Sequence, residues 1–369
     1  MPSDAAFDEI DTPALLFDLD IVERNIAEMA AVAADAGVAL RPHAKTHKSP
    51  EIARMQVDAG ASGLTVAKLG EAEVIADAGF TDLLVAYPIV GVQKLARLAA
   101  LLERVAVRVS LDAVEVAEGI GGVGVRLGVD VPVLVEVDTG LHRMGRPPGE
   151  PSALLATEIA RVPGVDVIGL LTHAGHAYRT TDPAELRRAA TQEAEDLLDT
   201  AARCERAGLP IRQISVGSTP TARIAATVPG VTEIRPGTYV FNDVQQLRLG
   251  LATVETCAAR VLVTVVARPT AERFLVDAGS KSFSADGGNG PPWPGRGVVL
   301  GRPDLVLDFL SEEHGVGHIE GGGDVGIGQR LQVVPLHACS CVNLFDSAVG
   351  TRGESVDHEI AIAARGRMR

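Results

Sequence analysis

Aromatic residues are scarce in this chain, with one Trp, three Tyr and eight Phe among 369 residues. Positive charge is also short: 34 Lys and Arg stand against 48 Asp and Glu, a formal net charge of −14. A field of that sign repels phosphate backbones, and so few rings offer little for stacking bases, which argues against a nucleic-acid partner. Cysteine is limited to Cys204, Cys257, Cys339 and Cys341, too few for a disulfide scaffold. Apolar runs are broken by charge, Gly or Pro well before the ~20 residues that a membrane helix needs, so no membrane association is expected. Residues 1–11 are acidic and polar, without the basic start and apolar stretch of a secretory signal, and cytoplasm is the expected location. The Gly-rich dinucleotide fingerprint is missing from the first strand-to-helix turn, which leaves an open doubly wound sheet without a site signal.

What is present is a rhythm. Between residues 12 and 234, short β-branched runs at 14–17, 39–41, 63–66, 83–86, 105–111, 133–137, 167–171, 211–216 and 232–234 alternate with Ala- and Leu-rich segments of helical period. Several of those segments close at a Gly suited to a C-cap. The pattern predicts a (β/α)8 TIM barrel. After about residue 250 the texture turns to strands at 254–266, 273–278, 297–300, 305–307, 330–334 and 358–362, with Gly- and Pro-rich turns between them. The expected division is a barrel over 12–249 and a C-terminal β domain over 250–369, which residues 1–11 are free to join. The Gly- and Pro-rich stretch 286–297 is expected as an exposed loop.

Barrel enzymes place their chemistry where strands end. The run Arg41-Pro42-His43-Ala44-Lys45-Thr46-His47-Lys48 follows a short strand. A lysine there, desolvated and near other cations, becomes a nucleophile toward carbonyls; the competing reading is a solvated basic loop. Arg143, shortly after the strand at 133–137, is placed to meet an anionic or aromatic oxygen of a cofactor. His173, His176 and Tyr178 gather after another strand and supply acid, base and cofactor contacts together. Near the barrel's end, Gly217-Ser218-Thr219-Pro220 and Arg235-Pro236-Gly237-Thr238-Tyr239 suit phosphate binding through amides and hydroxyls; Ser218 is equally suited to cap a helix. In the β domain, His337 and Cys339 stand two apart, on one side of the chain if it is extended. An imidazole and a thiolate suit a divalent metal, zinc above others, with positions left open for water and substrate. The run Ser311-Glu312-Glu313-His314 is either another contact to that centre or a turn.

In this order the motifs resemble the metal-dependent D-serine dehydratases and D-threonine aldolases, fold-type III pyridoxal-phosphate enzymes with an alanine racemase-like barrel. The resemblance runs from Thr12-Pro13 through R-P-H-x-K-x-H-K, H-A-G at 173–175, G-S-T-P at 217–220, R-P-G-x-Y at 235–239, Asp277-Ala278-Gly279, E-E-H-G at 312–315 and H-x-C at 337–339. It implies that Lys45 carries pyridoxal 5'-phosphate as a Schiff base and acts with His173 and Tyr178 in catalysis. It implies cofactor contacts from Arg143, Tyr178, Gly217, Ser218, Thr219, Gly237 and Tyr239, and a metal on His337 and Cys339, with zinc ahead of manganese or magnesium. It implies a homodimer acting on a small D-amino acid. Aldolase-like members have aspartate at the second metal position and dehydratase-like members cysteine, so Cys339 and G-S-T-P lean toward dehydration to a keto acid and ammonia. Retro-aldol cleavage to glycine and an aldehyde is the alternative. A non-catalytic pyridoxal-phosphate carrier is the alternative of another class, and such carriers lack a C-terminal β domain. Cys341 is a second thiol that either replaces Cys339 or does nothing.

Overall fold

The computed structural model describes residues 7–288 and 293–369. Its first strand, β1 (Ala14–Asp18), leads into a helix over Leu19–Ala36, which Asp18 caps by accepting from the Ile21 amide and which ends at Gly37 in the left-handed conformation. Eight parallel strands follow: β2 (Ala39–Leu40), β3 (Leu64–Val66), β4 (Asp82–Val85), β5 (Ala106–Leu111), β6 (Val131–Glu136), β7 (Val165–Leu171), β8 (Gln213–Val216) and β9 (Glu233–Ile234). They pair in the order β2-β9-β8-β7-β6-β5-β4-β3. The two ends of that path are joined as well. The Ser62 and Thr65 amides donate to the Leu40 and Pro42 carbonyls, both at 2.8 Å, and His43 bridges to Thr65. Helices between successive strands cover the outer face of the sheet, and its closure buries the inner one. That is why β6, with sequence VPVLVE, is nearly all buried instead of alternating.

The barrel expected from the sequence is therefore present, with one reassignment. β1 takes no part in it. It pairs antiparallel with β10 (Ala259–Thr270) and parallel with β16 (Ser347–Arg352) in a second sheet. That sheet also holds β11 (Arg273–Val276), β12 (Gly297–Val299), β13 (Leu305–Leu310), β14 (Gly315–Ile319), β15 (Arg330–Pro335) and β17 (Ser355–Ala361). Two of its strands, β14 and β16, fall outside the sequence expectation, because GVGHI and SAVGTR carry too little apolar bulk to signal a strand. Phe7 packs on Leu16 and Leu262, so the described part of the N-terminal segment lies on this sheet; residues 1–6 are outside the described residues. One hydrophobic core runs through both bodies, from Val133 and Val216 in the barrel to Val261 and Val333 in the sheet. Among the described residues no helix is long and apolar enough to cross a membrane.

Candidate active site

At the C-terminal ends of the barrel strands lies a cavity of about 780 Å³. Its rim is completed by the turn after β15, so the second sheet closes what the barrel opens. Lys45, Arg143, His173, Tyr178, Gly217, Ser218, Thr219, Gly237, His337 and Cys339 all line it.

The basic run sorts into separate duties. Arg41 is buried and bound to Glu233 at 2.7 Å and to Asp82 at 2.9 Å, a structural tie inside the barrel. Lys48 is likewise buried, donating to Asn343 at 2.8 Å and pairing with Glu71 at 3.1 Å. Lys45 rides on a single tight turn, Ala44–Thr46, that His43 caps through the Lys45 amide. Among the described residues it has no ion-pair partner. Burial lowers its amine below the ordinary ammonium value; Cys339 works against that fall and Arg143 adds to it. A solvated loop would show none of this.

His43 and His173 are held well below the ordinary imidazole value by burial, with the Lys45 charge adding to it. Both are neutral rings in a cation-rich pocket. Burial also raises the Tyr178 phenol far above its usual range, so it serves as a neutral hydroxyl. Arg143 reaches Glu136 at 3.4 Å, and burial raises the Glu136 carboxyl although Arg143 pulls it down.

Two glycines shape the floor. Gly217 has φ +113, and a Cβ there would meet the Arg235 amide at 3.3 Å. A Cβ on Gly237 would lie 2.8 Å from Thr46 Oγ1 and 3.2 Å from His43 Cβ. Ser218 caps the helix Thr219–Ala225 through a capping box with Thr221 and lines the cavity too, so the structural and functional readings of this residue hold together.

Tyr239 and His176 are the expected residues that the structure does not bring into the cavity lining; for Tyr239 the reason is its side-chain contacts. Its hydroxyl accepts from Gln56 at 3.0 Å, and its ring faces a neighbouring cavity on the far side of the helix Thr219–Ala225. Only its amide turns toward the site, donating to Thr219 Oγ1 at 3.1 Å. Arg235 also lines the cavity; the sequence reading makes its run a phosphate site but gives the arginine no contact of its own. It is buried, with its guanidinium donating to Ser215 and to the Thr172 carbonyl. Its signal was available, as the first polar residue after β9.

The H-x-C pair is not the extended segment that the spacing suggested. β15 stops at Pro335, His337 keeps an extended backbone, and a short helix starts at Ala338, so the two side chains meet across a strand-to-helix corner. Asp243 fixes that corner by accepting from the Ala338 amide at 2.9 Å. Burial resists ionisation of Cys339, but His337, the Thr46 hydroxyl and Lys45 together outweigh it and the thiol lies below its ordinary value. Asp286 accepts from His337 Nδ1 at 2.7 Å and from Ser340 at 2.8 Å. This corrects the reading of the 286–297 stretch as only an exposed loop: its first residue is anchored on the site, and residues 289–292 lie outside the described residues.

Cys341 is buried, donates to the Ser282 carbonyl at 3.2 Å and does not line the cavity, with burial raising its thiol well above the usual range. The Ser311–His314 run is a turn. It joins β13 to β14, with Glu313 on Lys281 at 2.7 Å. Among the described residues no group of three His, Cys, Asp or Glu side chains forms a closed metal cage.

Comparison with known proteins bears on this arrangement directly. The alanine racemase N-terminal domain matches residues 17–244, and the serine dehydratase domain matches residues 258–351. The chain belongs to the alanine racemase-like D-serine dehydratase and D-threonine aldolase family. The D-threo-3-hydroxyaspartate dehydratase of Delftia sp. (strain HT23) is 38% identical over 350 residues, 90% of this chain and 91% of that protein. A D-threonine aldolase of Arthrobacter sp. is 34% identical over 98% of this chain and 94% of its own length. Among solved structures, a D-threonine aldolase from Filomicrobium marinum superposes with a TM-score of 0.90 at 32% identity, covering 98% of this chain and 96% of that one. A D-threo-3-hydroxyaspartate dehydratase solved as a cysteine-to-alanine variant in a metal-free form superposes at TM-score 0.88 and 35% identity, over 96% of this chain and 98% of that one. Family membership thus places dehydratases and aldolases on the same frame, a racemase-like barrel joined to a dehydratase domain.

Proposed function

We propose that this protein is a pyridoxal-phosphate- and metal-dependent lyase acting on D-β-hydroxy amino acids, and that its main reaction is loss of water to give a keto acid and ammonia. Within residues 12–249 the barrel strands β2–β9 bear the cofactor in this reading, and 250–369 bring the metal. The observation that carries it is the meeting of Lys45 with His337 and Cys339 in one cavity lined from both sheets.

The residues present fit both groups. For the cofactor, a buried amine of lowered pKa faces a pocket whose floor has glycine at Gly217 and Gly237 and hydroxyls at Ser218 and Thr219. Arg143, Arg235 and Tyr178 stand around it. For the metal, one thiolate and one imidazole oriented by Asp286 leave positions open, which suits zinc in a catalytic setting. Pyridoxal phosphate supplies a carbonyl for the substrate amine and a ring that spreads charge from Cα, and zinc supplies a Lewis acid for a substrate hydroxyl.

The chain's own residues then have definite tasks. Gly217, Ser218 and Thr219 seat the phosphate. Lys45 Nζ, its pKa lowered by burial, takes the α-proton of the substrate. His173 and Tyr178 remain uncharged and orient groups by hydrogen bonds instead of competing for that proton. His337 and Cys339 line the same cavity as Lys45, with Cys339 Sγ 3.3 Å from Thr46 Oγ1 on the lysine's own turn, so the base and the proposed site for the departing hydroxyl are different groups within one pocket.

Cys339 in place of an aspartate favours dehydration, as does the likeness to the hydroxyaspartate dehydratase. Aldol cleavage is the second reading, favoured by the likeness to D-threonine aldolases at comparable coverage. Reconstitution with pyridoxal 5'-phosphate tests the assignment of Lys45. The wild type is expected to show the visible band of a lysine-bound cofactor and Lys45→Ala to lose it; a band that survives the substitution overturns the assignment.

A further inference from the structure

Glu193 lies within the helix Pro183–Arg206 and is fully buried. Neither carboxyl oxygen reaches a hydrogen-bond partner of normal geometry. What faces them is the reverse side of the Gly217–Thr219 loop and of the segment after β7: the Gly217 amide, the Thr221 hydroxyl in the helix that the loop starts, and the Ala174 amide. Thr221 belongs to that loop's frame, since its Oγ1 accepts from the Ser218 amide at 3.2 Å and lies 3.1 Å from Ser218 Oγ.

The charged group acting on Glu193 is Arg235, which also answers to Glu233 and Glu136 and spends its donors on Ser215 and the Thr172 carbonyl. Other charges on the packed elements look elsewhere. Arg223 pairs with Glu28, and His176 on the turn Gly175–Arg179 answers to Arg179, Asp138 and His142. A buried carboxylate without hydrogen bonds is unfavourable. Burial accordingly raises this carboxyl to about 7, although Thr221 and Arg235 pull it down. A phosphate on the cavity side of the same loop adds like charge and pushes the group further toward its neutral form.

We propose that Glu193 is a positioning residue for the phosphate loop that works as a neutral carboxylic acid, so that seating the cofactor's phosphate takes up a proton at Glu193. The proton comes from solvent. Once on the carboxyl, it is donated to Thr221 Oγ1, and the other carboxyl oxygen accepts from the Gly217 amide, which holds the loop in its open-handed shape. The inference rests on the reading that this loop holds the cofactor's phosphate.

The test is calorimetric titration of apo-protein near pH 8 in two buffers of different ionisation enthalpy. The wild type is compared with Glu193→Gln, and pyridoxal 5'-phosphate with pyridoxal, which lacks the phosphate. The wild type is expected to take up close to one proton more with the phosphorylated ligand than with pyridoxal, and Glu193→Gln to lose that excess. The affinity of the variant relative to wild type should rise by up to about tenfold per pH unit above the Glu193 midpoint. An equal excess in both proteins, or none in the wild type, overturns the proposal. If Glu193→Gln does not fold, the two ligands on the wild type decide alone. Failure of the underlying reading looks different: the wild type would then bind the phosphorylated ligand no better than pyridoxal, and both claims would fall.

Discussion

His337 Nδ1 donates to the Asp286 carboxylate at 2.7 Å, which fixes the ring and leaves Nε2 as the atom that would hold a metal in the proposed site with Cys339. Such an outer partner sets the orientation and basicity of a metal-bound imidazole. Asp286→Ala should therefore weaken metal binding by about 10–100-fold while the fold persists, because Asp286 is exposed and its carboxylate serves only this corner and the amide of Gly288 in its own loop. Competition against a chromophoric chelator measures this, and unchanged affinity would remove Asp286 from the metal's support.

The four thiols should react in sharply different ways. Cys339 faces the cavity with a lowered pKa, whereas burial raises Cys204, Cys257 and Cys341. In the apo-protein an alkylating agent at neutral pH should modify Cys339 first, and bound metal should protect it. Peptide mapping that found Cys341 labelled first would contradict the placement of the ligand pair.

Gly237 approaches Thr46 and His43 too closely for a side chain, the Cβ position being 2.8 Å from Thr46 Oγ1. Gly237→Ala should cost about 1–3 kcal/mol of stability, the usual effect of overfilling a packed site. It should also displace the turn that carries Lys45. Denaturant unfolding of the apo-protein reads the first effect, and cofactor affinity the second.

How far the sequence could be read depends on the kind of signal each element carries. The barrel strands were legible because βα units buried on both faces leave long apolar runs broken by capped helices. β1 had the same local pattern, and nothing within Ala14–Asp18 says that its partners lie at 259–262 and 349–351. Lys45 and the H-x-C pair were legible as motifs. Their geometry was not, since the helix starting at Ala338 depends on a cap from Asp243, about a hundred residues earlier. Tyr239 shows the opposite error: a motif position carries the site's backbone while its side chain serves the core. Asp286 was hidden by the Gly and Pro around it, which mark a loop without telling what the loop touches.

Glu193 also bears on stability. Its carboxyl is shifted from 4.5 to about 7 in the folded protein, so between those values the folded state holds a proton that the unfolded chain has released. Its contribution is fully present below about 4.5 and lost as pH rises through about 7. The swing is roughly 3 kcal/mol at most. Glu193→Gln should flatten this part of the profile and gain on the wild type above pH 7, as read from thermal unfolding of both apo-proteins; parallel profiles would contradict the buried acid.

Elimination at a site built from Lys45, His337 and Cys339 is the reaction proposed. Incubating the holoenzyme with D-threo-3-hydroxyaspartate, D-serine and D-threonine, with and without a chelator, and counting keto acid, ammonia, glycine and aldehyde tests it most directly. The expected result is keto acid and ammonia in equal amounts, abolished by the chelator and restored by zinc; glycine and aldehyde without ammonia, or turnover indifferent to the chelator, would contradict it.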